Sequence, residues 1–464
     1  MTPLRAPRTD RGRLLLVLAL ATAVTVFTAT VPLLRDWFDL RVYHGTVHSW
    51  VHDGGRVYDY RVPGTPYGFT YPPFAAVAML PMALVGLRTA IAVTLLLNLT
   101  ALAAVARVLA GPERLRRHGW YGAALAACAL ALFEPLRDTF SFGQVNLLLL
   151  ALVLTDCLLL STGRSRWAGV GIGLAAAVKL TPALFIGLLL VAHRRRAAAV
   201  ATGVAVGATA AAALVAPDAS RFYWTHALWD TSRVGRLDYV SNQSLQGVLA
   251  RLGVESRPVW AVLVVLVLCG WAWRARRAAA AGDWTAAFAL TGLTACLVSP
   301  VTWVHHLVWL LPSFAVLVRA GHPRTAAALY AVLCTSVVWM WFDDASGVDG
   351  FLGSNLYTWI TLGLLVRLPV GHPPRTRRRT TVSTSAAATP PDTAVPVTTA
   401  ACGQPGPESS LPAEAGDAEG PAAVTGAESG PGRFRVARSA SREPTGSTCP
   451  AASNPQSSSS RASS

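Results

Sequence analysis

Residues 14–74 read LLLVLALATAVTVFTATVPLLRDWFDLRVYHGTVHSWVHDGGRVYDYRVPGTPYGFTYPPF, and the change of character inside this stretch decides the fold. Leu14–Leu34 carries no charge, and an apolar run of about 20 residues is what crosses a hydrocarbon core about 30 Å thick. The run is too long for a signal-peptide core, and no A-x-A site follows it. Met1–Arg13 before it is basic through Arg5, Arg8, Arg11 and Arg13. An uncleaved first helix with its N-terminus in the cytoplasm is expected. Arg35–Phe74 then turns polar, aromatic and acidic, which places it on the outer face.

The rest of the 464 residues repeats this alternation. The chain is 53% hydrophobic and only 14% charged, against about 25% charged in soluble domains. The net charge of +16 does not point to nucleic acid, because the arginines sit in short connectors between apolar runs. Arg114/Arg116/Arg117, Arg164/Arg166, Arg194–Arg196, Arg274/Arg276/Arg277, Arg319/Arg324 and Arg375–Arg379 are such connectors. Placing them all inside, as the positive-inside rule requires, gives about twelve crossings. Parity demands that Phe74–Leu87 be a short interfacial or re-entrant helix. It also demands that Trp167–His193 break at Lys179-Leu180-Thr181-Pro182, where proline removes a backbone donor. The expected architecture is an all-α polytopic membrane protein with a basic N-terminus at 1–13 and a transmembrane unit at 14–370. Its outer loops would be 35–71, 134–146, 217–257, 299–306 and 342–353. Residues 371–464, rich in Thr, Ser, Ala, Pro and Gly, read as a disordered cytoplasmic tail. RTRRR at its start suits anionic membrane lipid.

This topology puts Asp36, Asp39, Asp53, Asp59, Glu134, Asp138, Asp218, Asp230, Asp238, Asp343, Asp344 and Asp349 outside, and few acids (Asp10, Glu113, Asp283) inside before the tail. Asp39 lies about one turn beyond the first membrane helix, where a carboxylate gains the basicity a general base needs. Equally, it could N-cap a helix Leu40–Asp53 ended by Gly54-Gly55. Asp36 and Asp59 compete with it. His44, His48 and His52 share one helical face, a spacing that can bind metal, but no HExxH glutamate accompanies them, and no metal is assigned. The seven cysteines form no CxxC pair.

Lys179, inside an otherwise apolar segment, is the sharpest anomaly: it faces a phosphate or snorkels to the interface. Arg137 has a fork suited to phosphate, or else pairs with Glu134 or Asp138. Gln144 and Asn146 suit sugar hydroxyls or helix–helix bonds. Asn242 and Gln243 close an aromatic-rich outer loop and suit the same ligand, as does Tyr71. His305 and His306 open the last strong cluster, where one imidazole would face the cavity and donate to a departing phosphate, or both would be structural.

FDLRVYHG, FTYPPF, FGQVNLLLLAL, the G-x-A-A-A-x-KLTP run from Gly173 to Pro182, SNQSL and SPVTWVHHLVWLLP follow one another in that order. Together they resemble the polyprenol-phosphate-mannose-dependent α-(1→2)-mannosyltransferases of glycosyltransferase family 87, which have the GT-C membrane fold. The resemblance covers about residues 14–368. It implies inverting transfer of mannose from a polyprenol-phosphate-linked donor to a glycolipid or polysaccharide acceptor at the outer side of the cell membrane. It also implies Asp39 as general base. The lipid phosphate needs no acid to leave, only cations, for which Lys179, Arg137 and His305 or His306 are candidates. No cofactor and no DxD metal site is expected, because the outer face carries no DxD and Asp343-Asp344 is adjacent rather than spaced. Two other readings remain open. One is a transferase for another polyprenol-linked sugar such as arabinose. The other is a secondary transporter, which would place ionisable residues at the midplane and show related halves.

Overall fold

A chain in hydrocarbon satisfies its backbone polar groups only as helices or a closed barrel. The computed structural model describes residues 9–30, 36–163 and 166–371. Their regular elements are all helices, joined by irregular loops, with no strand among the described residues and one isolated antiparallel bridge, Arg61 to Gly68. The expected disordered tail, from residue 372 on, lies outside the described residues.

In chain order the helices are α1 (Asp10–Thr30), α2 (Phe38–His52), α3 (Pro73–Met79), α4 (Leu87–Ala110), α5 (Pro112–Leu132), α6 (Glu134–Phe142), α7 (Asn146–Ser161), α8 (Val170–Val178) and α9 (Leu184–Val191). They continue as α10 (Arg195–Val215), α11 (Pro217–Thr225), α12 (Leu245–Arg251), α13 (Arg257–Ala280), α14 (Trp284–Val298), α15 (Leu311–Arg319), α16 (Pro323–Cys334), α17 (Gly347–Ser354) and α18 (Leu356–Arg367). Among the described residues α1, α4, α10 and α13 are long and apolar enough to cross a membrane alone. A fifth span results if residues 119–132 of α5 and α6, bent by 76°, are taken together. The other apolar helices run 10–17 residues, short of a full crossing.

Both expected interruptions are present. Pro73–Met79 runs into a 3-10 turn, Leu80–Leu84, and only then does α4 begin. Between α8 and α9 the chain leaves helical geometry at Lys179 (φ −148°, ψ 132°) and passes through a 3-10 turn at Thr181–Ala183. Pro182 sits where its missing N–H costs nothing, in the first turn.

A helix apolar on all sides belongs in a core rather than at its edge. α14 is such a helix, buried from Trp284 to Leu297 with the single exception of Thr285, and it packs against α13, α15 and α18. α8 is built of small residues for a different reason: α10 presses on it closely. A Cβ at Gly173 would stand 2.5 Å from the Ala201 carbonyl oxygen, so only glycine fits. With α7 on its other side, α8 is clamped, and its C-terminal residue Lys179 has a fixed origin.

Candidate active site

Asp39 does not cap a helix. α2 begins one residue earlier, at Phe38, and the N-cap position is Trp37, which makes no side-chain cap bond. Asp36 and Trp37 both hold left-handed backbone conformations (φ 47° and 55°), rare for such residues and often found beside functional sites. The Trp37 amide donates to the Ser141 carbonyl, which ties the start of α2 to the end of α6. At that end Gly143 takes the left-handed C-cap (φ 71°), and a Cβ there would meet the Leu40 Cβ at 2.6 Å. Glycine therefore lets α6 close on α2, and the next residue, Gln144, reaches Asp39.

The contact is short and directed: Gln144 Nε2 donates to Asp39 Oδ2 at 2.5 Å. The Gln144 backbone carbonyl is held by the Asn98 side chain of α4 at 3.1 Å. Its side-chain oxygen accepts from the Tyr71 hydroxyl at 2.9 Å, and Tyr43 donates to that hydroxyl at 3.0 Å. Lys179 Nζ lies 3.3 Å from the same hydroxyl, 3.1 Å from Asn146 Oδ1 and 2.7 Å from His306 Nε2. His306 Nδ1 accepts the Trp303 backbone N–H at 3.1 Å. A neutral imidazole with that nitrogen occupied as acceptor carries its proton on Nε2, facing Lys179. A neutral amine, with one lone pair and two N–H groups, meets all three of its neighbours there. The result is a hydrogen-bonded chain from His306 through Lys179, Tyr71 and Gln144 to Asp39.

This chain forms part of the wall of a cavity of about 750 Å³. That volume lies within the 300–1,000 Å³ usual for ligand sites. Asp39 keeps part of its surface open to the cavity. Loss of water around it raises its carboxyl to about 6, against the opposing pull of the Gln144 hydrogen bond. A carboxylate tuned near the working pH is suited to taking a proton. Its two sequence competitors are elsewhere: Asp36 pairs with Arg41 at 2.5 Å, and Asp59 is exposed.

The other sequence-selected residues divide. Both His305 and His306 line the cavity, their ring centroids 4.6 Å apart, on a 3-10 turn at Val304–Leu310. Arg137 is not brought to the cavity: its Nη2 donates to Ser336 Oγ at 2.8 Å and its guanidinium lies over the Phe27 ring. Asn242 and Gln243 also point away from it. Asn242 accepts the Thr302 amide and donates to the Leu237 and Pro300 carbonyls. Gln243 donates to the Val240 and Ser354 carbonyls and accepts from Thr358. The histidine stripe of α2 pins a turn: His44 and His52 bond the Val85 and Ala83 carbonyls at 2.8 and 2.9 Å. No group of three or more potential metal ligands occurs among the described residues.

Sequence reasoning missed Asp138, Arg233, Trp303 and Trp339 as cavity residues. Asp138 is only 1% exposed, a second acid enclosed beside the site. Its signal was present in the EPLRD motif, one turn after Glu134, but Arg137 between them drew the attention, as a phosphate ligand or as the ion-pair partner of either acid.

The glycosyltransferase family 87 model matches residues 69–300. The chain is 35% identical over 323 residues to a polyprenol-phosphate-mannose-dependent α-(1-2)-phosphatidylinositol mannoside mannosyltransferase of Mycobacterium tuberculosis, covering 65% of this chain and 75% of that one. It is 34% identical over 333 residues to the protein of the same name from Mycolicibacterium smegmatis, covering 65% and 74%. To a phosphatidylinositol pentamannoside mannosyltransferase of Mycobacterium tuberculosis it is 33% identical over 319 residues, covering 66% and 72%. No solved structure matches the chain. With this family match, this degree of relatedness and an all-helical membrane architecture, the chain belongs to glycosyltransferase family 87, a family of membrane glycosyltransferases.

Proposed function

We propose that the protein transfers a mannosyl group from a polyprenyl-phosphate donor to a hydroxyl of a phosphatidylinositol-anchored mannoside, at the outer side of the cell membrane. The observation that carries the reading is the chain of hydrogen bonds ending on Asp39 Oδ2, because it sets a carboxylate and a basic pair in one cavity.

In this reaction the acceptor oxygen attacks the anomeric carbon while the bond from that carbon to the phosphate oxygen breaks. Asp39 takes the acceptor proton, and the polyprenyl phosphate departs with the bonding electrons. The configuration inverts, because attack and departure occupy opposite faces. A phosphate monoester leaves as an anion, so charge stabilisation replaces a general acid. A proton taken up by the Lys179–His306 pair places positive charge where that anion forms. Tyr71 and Gln144 keep the base and the basic pair at fixed separation, which is the positioning that lowers the entropic part of a barrier. The fold that supports this is a GT-C-type bundle of about twelve crossings, in which the shorter apolar helices complete spans in pairs.

The test is direct. Purified protein in lipid nanodiscs receives labelled polyprenyl-phosphate mannose and a phosphatidylinositol mannoside, and the labelled glycolipid is identified. Transfer of mannose with inversion is the expected result. Transfer only from a pentosyl donor, or flux of a sugar across proteoliposomes without any transfer, would overturn the reading.

A further inference from the structure

The cavity has a second basic wall that the chemistry above does not use. Arg233 lines it, and Arg233 Nη2 donates to the Tyr58 carbonyl at 3.0 Å. Arg61 Nη1 donates to the same carbonyl at 2.7 Å and to the Tyr60 carbonyl at 3.0 Å. Two guanidinium groups sharing one oxygen stand side by side and repel. Among the described residues neither has a carboxylate within ion-pair distance. Of the nearby acids, Asp230 is engaged in its own turn, accepting from Ser232 N at 3.1 Å and Ser232 Oγ at 2.5 Å, and the Asp59 side chain is exposed.

Three features make this a built site rather than a chance pair. Arg233 Nε is buried and has no hydrogen-bond partner. The Phe222 ring lies under the guanidinium, 5.3 Å from its carbon, and fixes its plane. Gly68, whose backbone lines the cavity, leaves Arg61 close behind it: a Cβ at Gly68 would meet Arg61 Nη1 at 2.6 Å. Desolvation and then the neighbouring Arg61 charge both push the Arg233 guanidinium below its ordinary value, the situation that a bound anion relieves.

Position separates this wall from the reacting centre. The Tyr58 hydroxyl donates to the Tyr71 carbonyl at 2.8 Å, and the Tyr71 hydroxyl in turn lies beside Lys179. The bonded path from the arginines to Lys179 therefore runs through two tyrosines. The donor phosphate is attached to the anomeric carbon and must lie near Asp39 and Lys179. An anion at Arg233 belongs to a different part of the bound substrates. We infer that Arg233, with the Arg61 charge behind it, holds the phosphodiester of the lipid acceptor, a subsite that selects glycolipid acceptors carrying that charge. Planar forks binding phosphate oxygens in pairs suit such a group. The inference rests on the transferase reading above.

The experiment compares two acceptors in the full-length protein: a phosphatidylinositol mannoside and a synthetic alkyl mannoside without phosphate. For the wild type, KM for the phosphodiester acceptor should rise with ionic strength while that for the alkyl mannoside stays level. Arg233→Gln should raise the ratio of the two KM values about 10–100-fold toward loss of selectivity, the effect of removing a charge-assisted hydrogen bond. Arg233→Lys should restore part of it. An equal rise for both acceptors, or a rise in donor KM instead, would overturn the subsite. If Arg233→Gln fails to fold, the salt dependence of the wild-type ratio decides alone, and a ratio indifferent to salt would overturn it. A wild type that transfers no mannose to either acceptor would instead sink the transferase reading itself.

Discussion

Two buried polar clusters in this molecule are made of the same kinds of residue and do opposite things. In the brace around Gln243, an amide, a second amide at Asn242 and a cation at Arg251 bond to carbonyls and to Asn355. Arg251 Nη1 and Nη2 donate to the Tyr239 and Asn242 carbonyls at 2.7 and 2.9 Å, and Nη2 donates to Asn355 Oδ1 at 2.5 Å. The path around Gln144 also joins an amide to a basic side chain, Lys179, but it ends on the Asp39 carboxylate at an open cavity. Amide and basic-group content says nothing about role; the identity of the last partner does. A brace that terminates on backbone groups holds helices together, whereas one that terminates on a titratable oxygen facing space can do chemistry.

Mutation of each cluster should separate these roles. The largest effect is expected at Asp39. Asp39→Asn keeps size and a hydrogen-bonding capacity but cannot accept the proton, so kcat should fall about 10²–10⁴-fold with little change in melting temperature. Initial rates in nanodiscs and a thermal melt of the same sample check both halves. Substantial activity in this variant would remove the base.

Gln243→Ala should behave in the reverse sense. It strands the Val240 and Ser354 carbonyls and the Thr358 amide in a buried setting. A loss of about 2–4 kcal/mol of stability is expected. Whatever folded fraction remains should keep the wild-type kcat per folded molecule. A stable variant with altered acceptor preference would place Gln243 in recognition and erase the contrast.

Lys179→Met comes third. It keeps an unbranched side chain one atom shorter and removes the group between His306, Asn146 and Tyr71. Donor KM should rise about 10–100-fold, as expected for a lost charge-assisted contact to phosphate, while acceptor KM changes little. Unchanged donor KM would move the phosphate elsewhere.

Much of this contrast was legible in the chain, for physical reasons that can be named. The break at Lys179–Pro182 was visible because a lysine and a proline cannot continue an apolar helix without consequence. The short helix before α4 was visible from crossing parity. Asp39 stood out by its distance from the membrane helix, although its alternative as a cap could be excluded only when α2 was seen to start at Phe38. What sequence could not supply was direction. Arg137 and Arg233 are the same residue in two polar connecting segments, yet α6 turns Arg137 toward Ser336 while the turn at Thr231–Arg233 turns the other into the cavity. Gln144 and Gln243 likewise differ only in the long-range partner, 105 residues away at Asp39 for one and 111 and 115 away at Ser354 and Thr358 for the other. Such partners are set by packing of distant helices, which no local pattern encodes.

The finest test of the comparison is the acid limb of the pH profile. Burial raises the Asp39 carboxyl to about 6, and the proposed base can take a proton only when it is ionised. Below that value kcat/KM should fall tenfold per pH unit, and above it the profile should be level on this limb. The Gln144 hydrogen bond stabilises the ionised form, so Gln144→Leu should move the limb to higher pH by up to about one unit, since one unit corresponds to roughly 1.4 kcal/mol. Gln243→Ala should leave the limb in place, since that amide ends on backbone carbonyls and Thr358 rather than on a titrating oxygen. A limb that moved down in Gln144→Leu, or that moved equally in both glutamine variants, would show that the two clusters are not distinct in the way their last partners imply.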